Sequence, residues 1–115
     1  MLTRYKQSHE KIAMGLVSFM PRERHVKQLK KTMELYNEHA DWQLFLWKAG
    51  DSYVGAIGIH IEDNESFTVQ HISVIPSFRG EGIGHKMVER VEKLMGNRRA
   101  QPSEETKAFM MKCKV

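Results

Sequence analysis

The stretch His71-Ile72-Ser73-Val74-Ile75-Pro76-Ser77-Phe78-Arg79-Gly80-Glu81-Gly82-Ile83-Gly84 decides how this chain is read. Just upstream, Phe67-Thr68-Val69-Gln70 continues the same β-branched and aromatic pattern, so Phe67 to Val74 is predicted to be a strand. Pro76 and Ser77 break it. Beyond the glycines, Ile83, Met87, Val91 and Leu94 recur at helical spacing, which predicts an amphipathic helix from Ile83 to about Met95. The first N–H groups of such a helix have no internal partner and lie at the positive end of its dipole. Glycines let an anion approach that backbone, and Arg79 adds a guanidinium suited to forked contacts with phosphate.

Two familiar phosphate loops fail on spacing. A P-loop needs a Gly-Lys pair five residues after its first glycine, and a dinucleotide fingerprint needs its third glycine at that same place. Counting from Gly80, His85 stands there in both cases. A plain turn with a surface arginine would not need three alternating glycines. The remaining pattern, R-x-x-G-x-G after a strand ending Val-Ile-Pro, resembles the acetyl-CoA pyrophosphate loop of the GNAT N-acetyltransferase superfamily.

With 115 residues the chain makes one domain, 1–115, and its 41% hydrophobic and 28% charged residues are an ordinary globular mixture. There is no apolar run long enough for a membrane span, and Met1-Leu2-Thr3-Arg4-Tyr5-Lys6 lacks the apolar core of a signal peptide. The lone Cys113 can form no internal disulfide, so a cytoplasmic location is expected. The net charge is +4, but the basic residues are spread over helix faces without aromatic interleaving, which speaks against nucleic acid. Six histidines do not gather with the cysteine at ligand spacing, so no metal is expected.

Taken in order, Leu2 to Tyr5 is a short first strand. Ser8 is the expected cap of a helix with Ile12, Leu16, Phe19 and Met20 on one face, stopped by Pro21. A second helix is expected from Arg22, with Val26, Leu29, Met33 and Tyr36 inward. Trp42 to Lys48 and Tyr53 to Ile61 read as antiparallel strands joined by a short turn. Within the second of these, Gly55 and Gly58 suggest a bulge or a close backbone approach. After a stop at Gly96-Asn97, a short strand is expected at Arg98 to Gln101. A last helix then opens at Pro102-Ser103 with Ser103 as its cap. The methionines, Met14, Met20, Met33, Met87, Met95, Met110 and Met111, read as core filling.

This order covers nearly the whole chain and resembles a GNAT domain: an α+β (mixed α/β sandwich) fold, its central sheet mostly antiparallel and flanked by helices, here shortened at the C-terminus. Leu2 to Lys6, Glu10 to Leu16, Gln43 to Lys48 and Val54 to Gly58 also resemble a small member of that superfamily encoded with bacterial riboflavin biosynthesis genes. The resemblance implies acetyl-CoA as cofactor, a strand bulge, and a pantetheine arm pairing with the backbone of Ile72, Ser73 and Val74. It implies a pyrophosphate on Arg79, Gly80, Glu81, Gly82, Ile83 and Gly84 with His85 close by, and further contacts from Ser103, Lys107 and Phe109. Many family members carry a tyrosine on the last helix to protonate the leaving thiolate; Met110 stands there in this chain. Many also continue through two more strands, whereas this chain stops at Val115. The acceptor pocket is then either open or completed by a second subunit in a homodimer.

Acetyl transfer to an amine needs a base and donors for an oxyanion. His71, Glu62, Glu65 and His60 are the candidate bases. His71 leads by its place on the motif strand, with a hydrogen-bonded structural histidine as the alternative. The Val74 N–H is the expected oxyanion donor. The sequence therefore points to an N-acetyltransferase acting on an amine of a small molecule or protein. The alternative is an acyl-CoA-binding sensor or partner protein with little turnover, linked to riboflavin metabolism.

Overall fold

The computed structural model describes residues 1–113, without the side chains of the last two of these. The early end at Val115 lies outside the described residues. Strand β1 (Leu2–Arg4) leads through a 3-10 turn (Gln7–His9) into helix α1 (Glu10–Val17). A second 3-10 turn (Pro21–Arg24) precedes helix α2 (Val26–Glu38). Strands β2 (Trp42–Ala49), β3 (Ser52–Ile61) and β4 (Ser66–Val74) follow as a meander. Helix α3 (Ile83–Leu94), strand β5 (Arg99–Pro102) and helix α4 (Lys107–Cys113) complete the order.

The five strands lie in sequence order, β1-β2-β3-β4-β5. The first three pairings are antiparallel, and β4 with β5 is parallel. The central strands are buried on both faces, which is why Leu44–Trp47 and Val54–Ile59 read as unbroken apolar runs. On one face, Tyr5, Leu44, Leu46 and Ala56 pack against Ala13, Leu16 and Val17 of α1 and Leu29, Met33 and Tyr36 of α2. On the other, Phe45, Ile57, Ile59, Phe67 and Val69 pack against Ile83, Met87, Val88, Val91 and Met95 from α3 and the segment after it, together with Met110 of α4. Each fully buried Leu, Ile, Val, Phe or Met side chain among them contributes about 1.5–3 kcal/mol.

The expected elements are present, with several helix faces corrected. In α1 the inward residues are Ala13, Leu16 and Val17, with Met20 buried just beyond. Ile12 and Phe19 are 43% and 46% exposed, so they do not share that face. The helix ends at Val17, before Pro21, and Ser8 lies in the preceding turn without capping it. The second helix starts at Val26 rather than Arg22, and Val26 is itself exposed because it occupies the first helical position beyond the core. Leu94, at the end of α3, is likewise exposed, and Met95 is buried instead. Met20, Met33, Met87, Met95 and Met110 are buried as expected, whereas Met111 is exposed and Met14 half-buried.

Two irregularities shape the site. β3 pairs Gly58 with His71 and Ile59 with Val69, leaving Gln70 as an extra residue in β4. That bulge reverses which side of the sheet the following side chains take. Val69 packs on the α3 face, while His71, two residues on, meets Tyr36 of α2. Gly58 makes the second accommodation: a Cβ there would collide with the Tyr36 hydroxyl.

Candidate active site

The pairing of β4 with β5 stops early. It covers Ser66–Val69 against Arg99–Pro102 and no further. Pro102 has no N–H to extend a ladder. The Val69 carbonyl takes its bond from the Thr106 hydroxyl, at 2.7 Å, and Thr106 is fully buried. Ser103 N–H donates to the same hydroxyl oxygen at 2.9 Å, and Ser103 Oγ accepts from Thr106 N–H at 3.2 Å. Ser103 therefore does cap, but it caps a turn ahead of α4, which begins only at Lys107. The outcome is a sheet that opens after the bulge, leaving the β5 side of residues 70–74 without a strand partner.

A cavity of about 640 Å3 lies along this opening. Ile72, Ser73, Val74, Arg79, Gly80, Gly82, Ile83, Gly84, His85 and Phe109 line it, together with Phe19 and Phe78. Glu81, Ser103 and Lys107 are not among its lining, and neither is His71. Phe19 and Phe78 escaped the sequence reading. The helical spacing puts Phe19 on a buried face, and its exposure is visible only once α1 is seen to end at Val17, four residues before Pro21.

The glycines divide into two roles. Gly80 and Gly82 have φ of +86° and +79°, the left-handed region, and a Cβ on either would meet only open space. Gly84 is buried, and a Cβ there would collide with the Phe109 ring. Gly82 is the N-cap of α3, and among the described residues no side chain caps that helix. Its first internal bond runs from Lys86 N–H to Gly82 C=O at 3.0 Å. The amides of the first turn thus face a concave, glycine-lined space. Arg79 donates from Nε to the Val74 carbonyl at 2.8 Å and lies 5.7 Å from the centre of the Phe19 ring. Its exposed guanidinium is held at the mouth with its outer nitrogens available. His85 pairs with Glu89 one turn on, at 3.2 Å, and both are exposed.

His71 sits behind this opening, on the α1/α2 side. It is 7% exposed. The Tyr36 hydroxyl contacts its Nδ1, and Glu23 Oε1 lies 3.1 Å from its Nε2. Burial, and then the Glu23 charge, push Tyr36 well above its usual ionisation range, so it stays protonated and donates. Nε2 then carries the imidazole proton and gives it to Glu23. The Thr32 hydroxyl also donates to Glu23, at 2.9 Å. Burial of Glu23 opposes its charge, but the bonds from His71 and Thr32 outweigh that and hold its carboxyl below the ordinary range. The other candidate bases lie at the far end of β4. Glu62 accepts from Thr68 at 2.8 Å, His60 lies 2.9 Å from Glu62, and Glu65 is exposed in the β3–β4 turn. None of the three lines the cavity. Among the described residues, no group of three or more His, Cys, Asp or Glu side chains is placed to hold a metal ion.

The sequence profile of the Acetyltransferase (GNAT) family matches residues 13–107. The chain belongs to that family. A Bacillus methanolicus relative, described as an uncharacterized N-acetyltransferase in the lysA 3' region, is 44% identical over 115 residues, covering 100% of this chain and 96% of its own. Among solved structures, the aminoglycoside acetyltransferase AAC(6')-Iy, in complex with a bisubstrate analogue, aligns with a TM-score of 0.79 at 15% identity, over 99% of this chain and 86% of that one. A GNAT family acetyltransferase from Elizabethkingia anophelis with acetyl-CoA bound aligns at 0.71 and 14% identity, over 97% and 72%. At such identities the structures share the GNAT fold, five-stranded here and mostly antiparallel. Within that fold, Met110 is buried in the core beneath α3 and has no proton to give. No helix among the described residues is long and apolar enough to cross a membrane.

Proposed function

We propose that this GNAT protein transfers an acetyl group from acetyl-CoA to an amine of a small molecule or protein. The observation that carries the reading is the uncapped start of α3, with Gly80 and Gly82 in left-handed conformations facing open space. This surface fits a diphosphate, and the neighbouring cavity continues along the unpartnered edge of β4. Acetyl-CoA supplies the thioester, whose carbon–sulfur bond breaks as the amine nitrogen bonds to the carbonyl carbon. Arg79 and the first-turn amides hold the diphosphate end. The backbone of Ile72 and Val74 aligns the arm, and the Val74 N–H stabilises the oxyanion. Gly84 and Phe109 shape the wall between α3 and α4. Glu81, His85, Ser103 and Lys107 belong to the proposal as secondary contacts, of which His85 lines the cavity.

For the amine's proton, His71 is reached only through Tyr36 or by breaking the bond to it, because the Nδ1 lone pair faces the Tyr36 hydroxyl. We therefore give His71 a holding role first. The base acts through water, or is His71 relayed through Tyr36.

A second reading, an acyl-CoA-binding sensor or partner with little turnover, is favoured by that occupied imidazole and by the buried Met110. It carries with it, on sequence grounds alone, the resemblance to RibT of riboflavin operons. A cytoplasmic location, and a homodimer that completes the acceptor pocket, belong to the proposal as well.

Thiol release from acetyl-CoA, followed across a panel of amines, separates the readings. Amine-dependent turnover supports the transferase; CoA binding without turnover supports the sensor; absence of CoA binding overturns both.

A further inference from the structure

We infer that the acceptor is a primary amine carried on an apolar, ring-sized body with no further positive charge, and that Phe19 selects it, an inference that rests on the transferase reading above. Among the phenylalanines, tyrosines and tryptophans of the described residues, Phe19 alone is exposed, at 46%. It belongs to neither core. Phe45 and Phe67 are buried in one core, and Phe78 and Phe109 pack against it. Folding therefore gives no reason for an aromatic ring at the end of α1. Phe19 nevertheless lines the cavity, and it comes from the α1 side of the sheet, whereas α3 and α4 pack on the other.

Arg79 fixes where that ring stands. Its Nε donates to Val74 C=O at 2.8 Å, and its Cζ lies 5.7 Å from the centre of the Phe19 ring. One guanidinium thus spans the two, so the ring stands beside the Val74 backbone, whose N–H receives the oxyanion in the transferase reading. In that reading the glycine loop, the first turn of α3 and the β4 edge are taken by the cofactor. Ser73 Oγ is tied to Leu16 C=O at 2.6 Å. Phe19 and Phe78 are the lining side chains left for the acceptor. Charge narrows the class further. Among the described residues no Asp or Glu lines the cavity, while Arg79 and His85 do. A polycation would bring several ammonium groups to a wall that offers them no carboxylate. A single amine gives up its charge before it attacks, and its body needs only apolar surface, which the ring supplies. In the transfer the amine nitrogen bonds to the acetyl carbonyl carbon, the carbon–sulfur bond breaks, and the amine's surplus proton ends on the CoA thiol.

The test follows thiol release from acetyl-CoA by the whole protein, with phenethylamine, ethylamine, spermidine and neamine as acceptors, after calorimetry with CoA. The wild type should use phenethylamine with a kcat/KM at least about tenfold above that for each of the others, the scale on which apolar pockets discriminate. In Phe19→Ala the preference for phenethylamine over ethylamine should fall to within about threefold, through KM rather than kcat. Phe19→Tyr keeps the ring and should keep the preference. Spermidine or neamine used as well as phenethylamine overturns the assigned class. A preference unmoved in Phe19→Ala overturns the role of Phe19. Both of these results leave the transferase reading standing. CoA binding without turnover of any of these amines overturns this inference and favours the sensor. Failure of CoA itself to bind the wild type overturns the cofactor reading and this inference with it.

Discussion

The Thr106 hydroxyl donates to the carbonyl of Val69 at 2.7 Å, joining residues 37 apart in the chain at the point where the sheet opens. Val69 is the last β4 residue paired with β5, opposite Pro102. Thr106→Val keeps the shape of the side chain and removes its only donor. It leaves the Val69 carbonyl and the Ser103 N–H without their partner, at a cost of about 1–3 kcal/mol. Urea denaturation should show that loss, and CoA affinity should fall with it because α4 is no longer pinned beside the cavity.

Arg79 is expected to carry charge-assisted contacts to the diphosphate. Arg79→Ala should remove about 1.5–3 kcal/mol of such contact, weakening CoA roughly 10–100-fold. Its fold should survive, since Arg79 is exposed. Calorimetry showing unchanged CoA affinity would count against the loop as the diphosphate site.

Gly84 and Phe109 form a tight pair across α3 and α4. Gly84→Ala would push its new Cβ into the Phe109 ring, costing about 1–3 kcal/mol as an overpacked site does. Combined with Phe109→Ala, the clash disappears. The double variant should therefore be less destabilised than the sum of the singles, and a double-mutant cycle reads this directly. Simple additivity would mean that the ring is not the obstacle.

Glu23 makes stability depend on pH. Its carboxyl is held below its ordinary value of 4.5 in the folded chain, so the folded state binds its proton less readily than the unfolded one. The contribution of Glu23 is full above that ordinary value and is lost as pH falls through it toward the lower folded one. Denaturant midpoints measured from pH 7 down to pH 3 should fall more steeply for the wild type than for Glu23→Gln. Parallel curves would exclude Glu23 as a source of the acid sensitivity. At the alkaline end, burial and the Glu23 charge hold Tyr36 protonated in the folded state. Stability should therefore decline above the ordinary tyrosine value of 10.0, and Tyr36→Phe should lessen the decline.

Local chemistry made much of this molecule legible in its sequence. β-branched runs, helical spacing and glycine punctuation depend on residues close along the chain, so they were sufficient for the three-strand meander, for α3 and for the glycine loop. The helix faces were less secure at the ends, because the last turn of a helix has no neighbour to bury it; Val26 and Leu94 are exposed for that reason. What the tertiary structure decided were relations between distant residues. The bulge at Gln70 turns His71 away from the α3 face and into the grip of Tyr36 and Glu23. Thr106 reaches back to Val69, and Met20 meets the Ile72 amide. No local pattern encodes these contacts, since each depends on where two separately formed elements come to rest against one another.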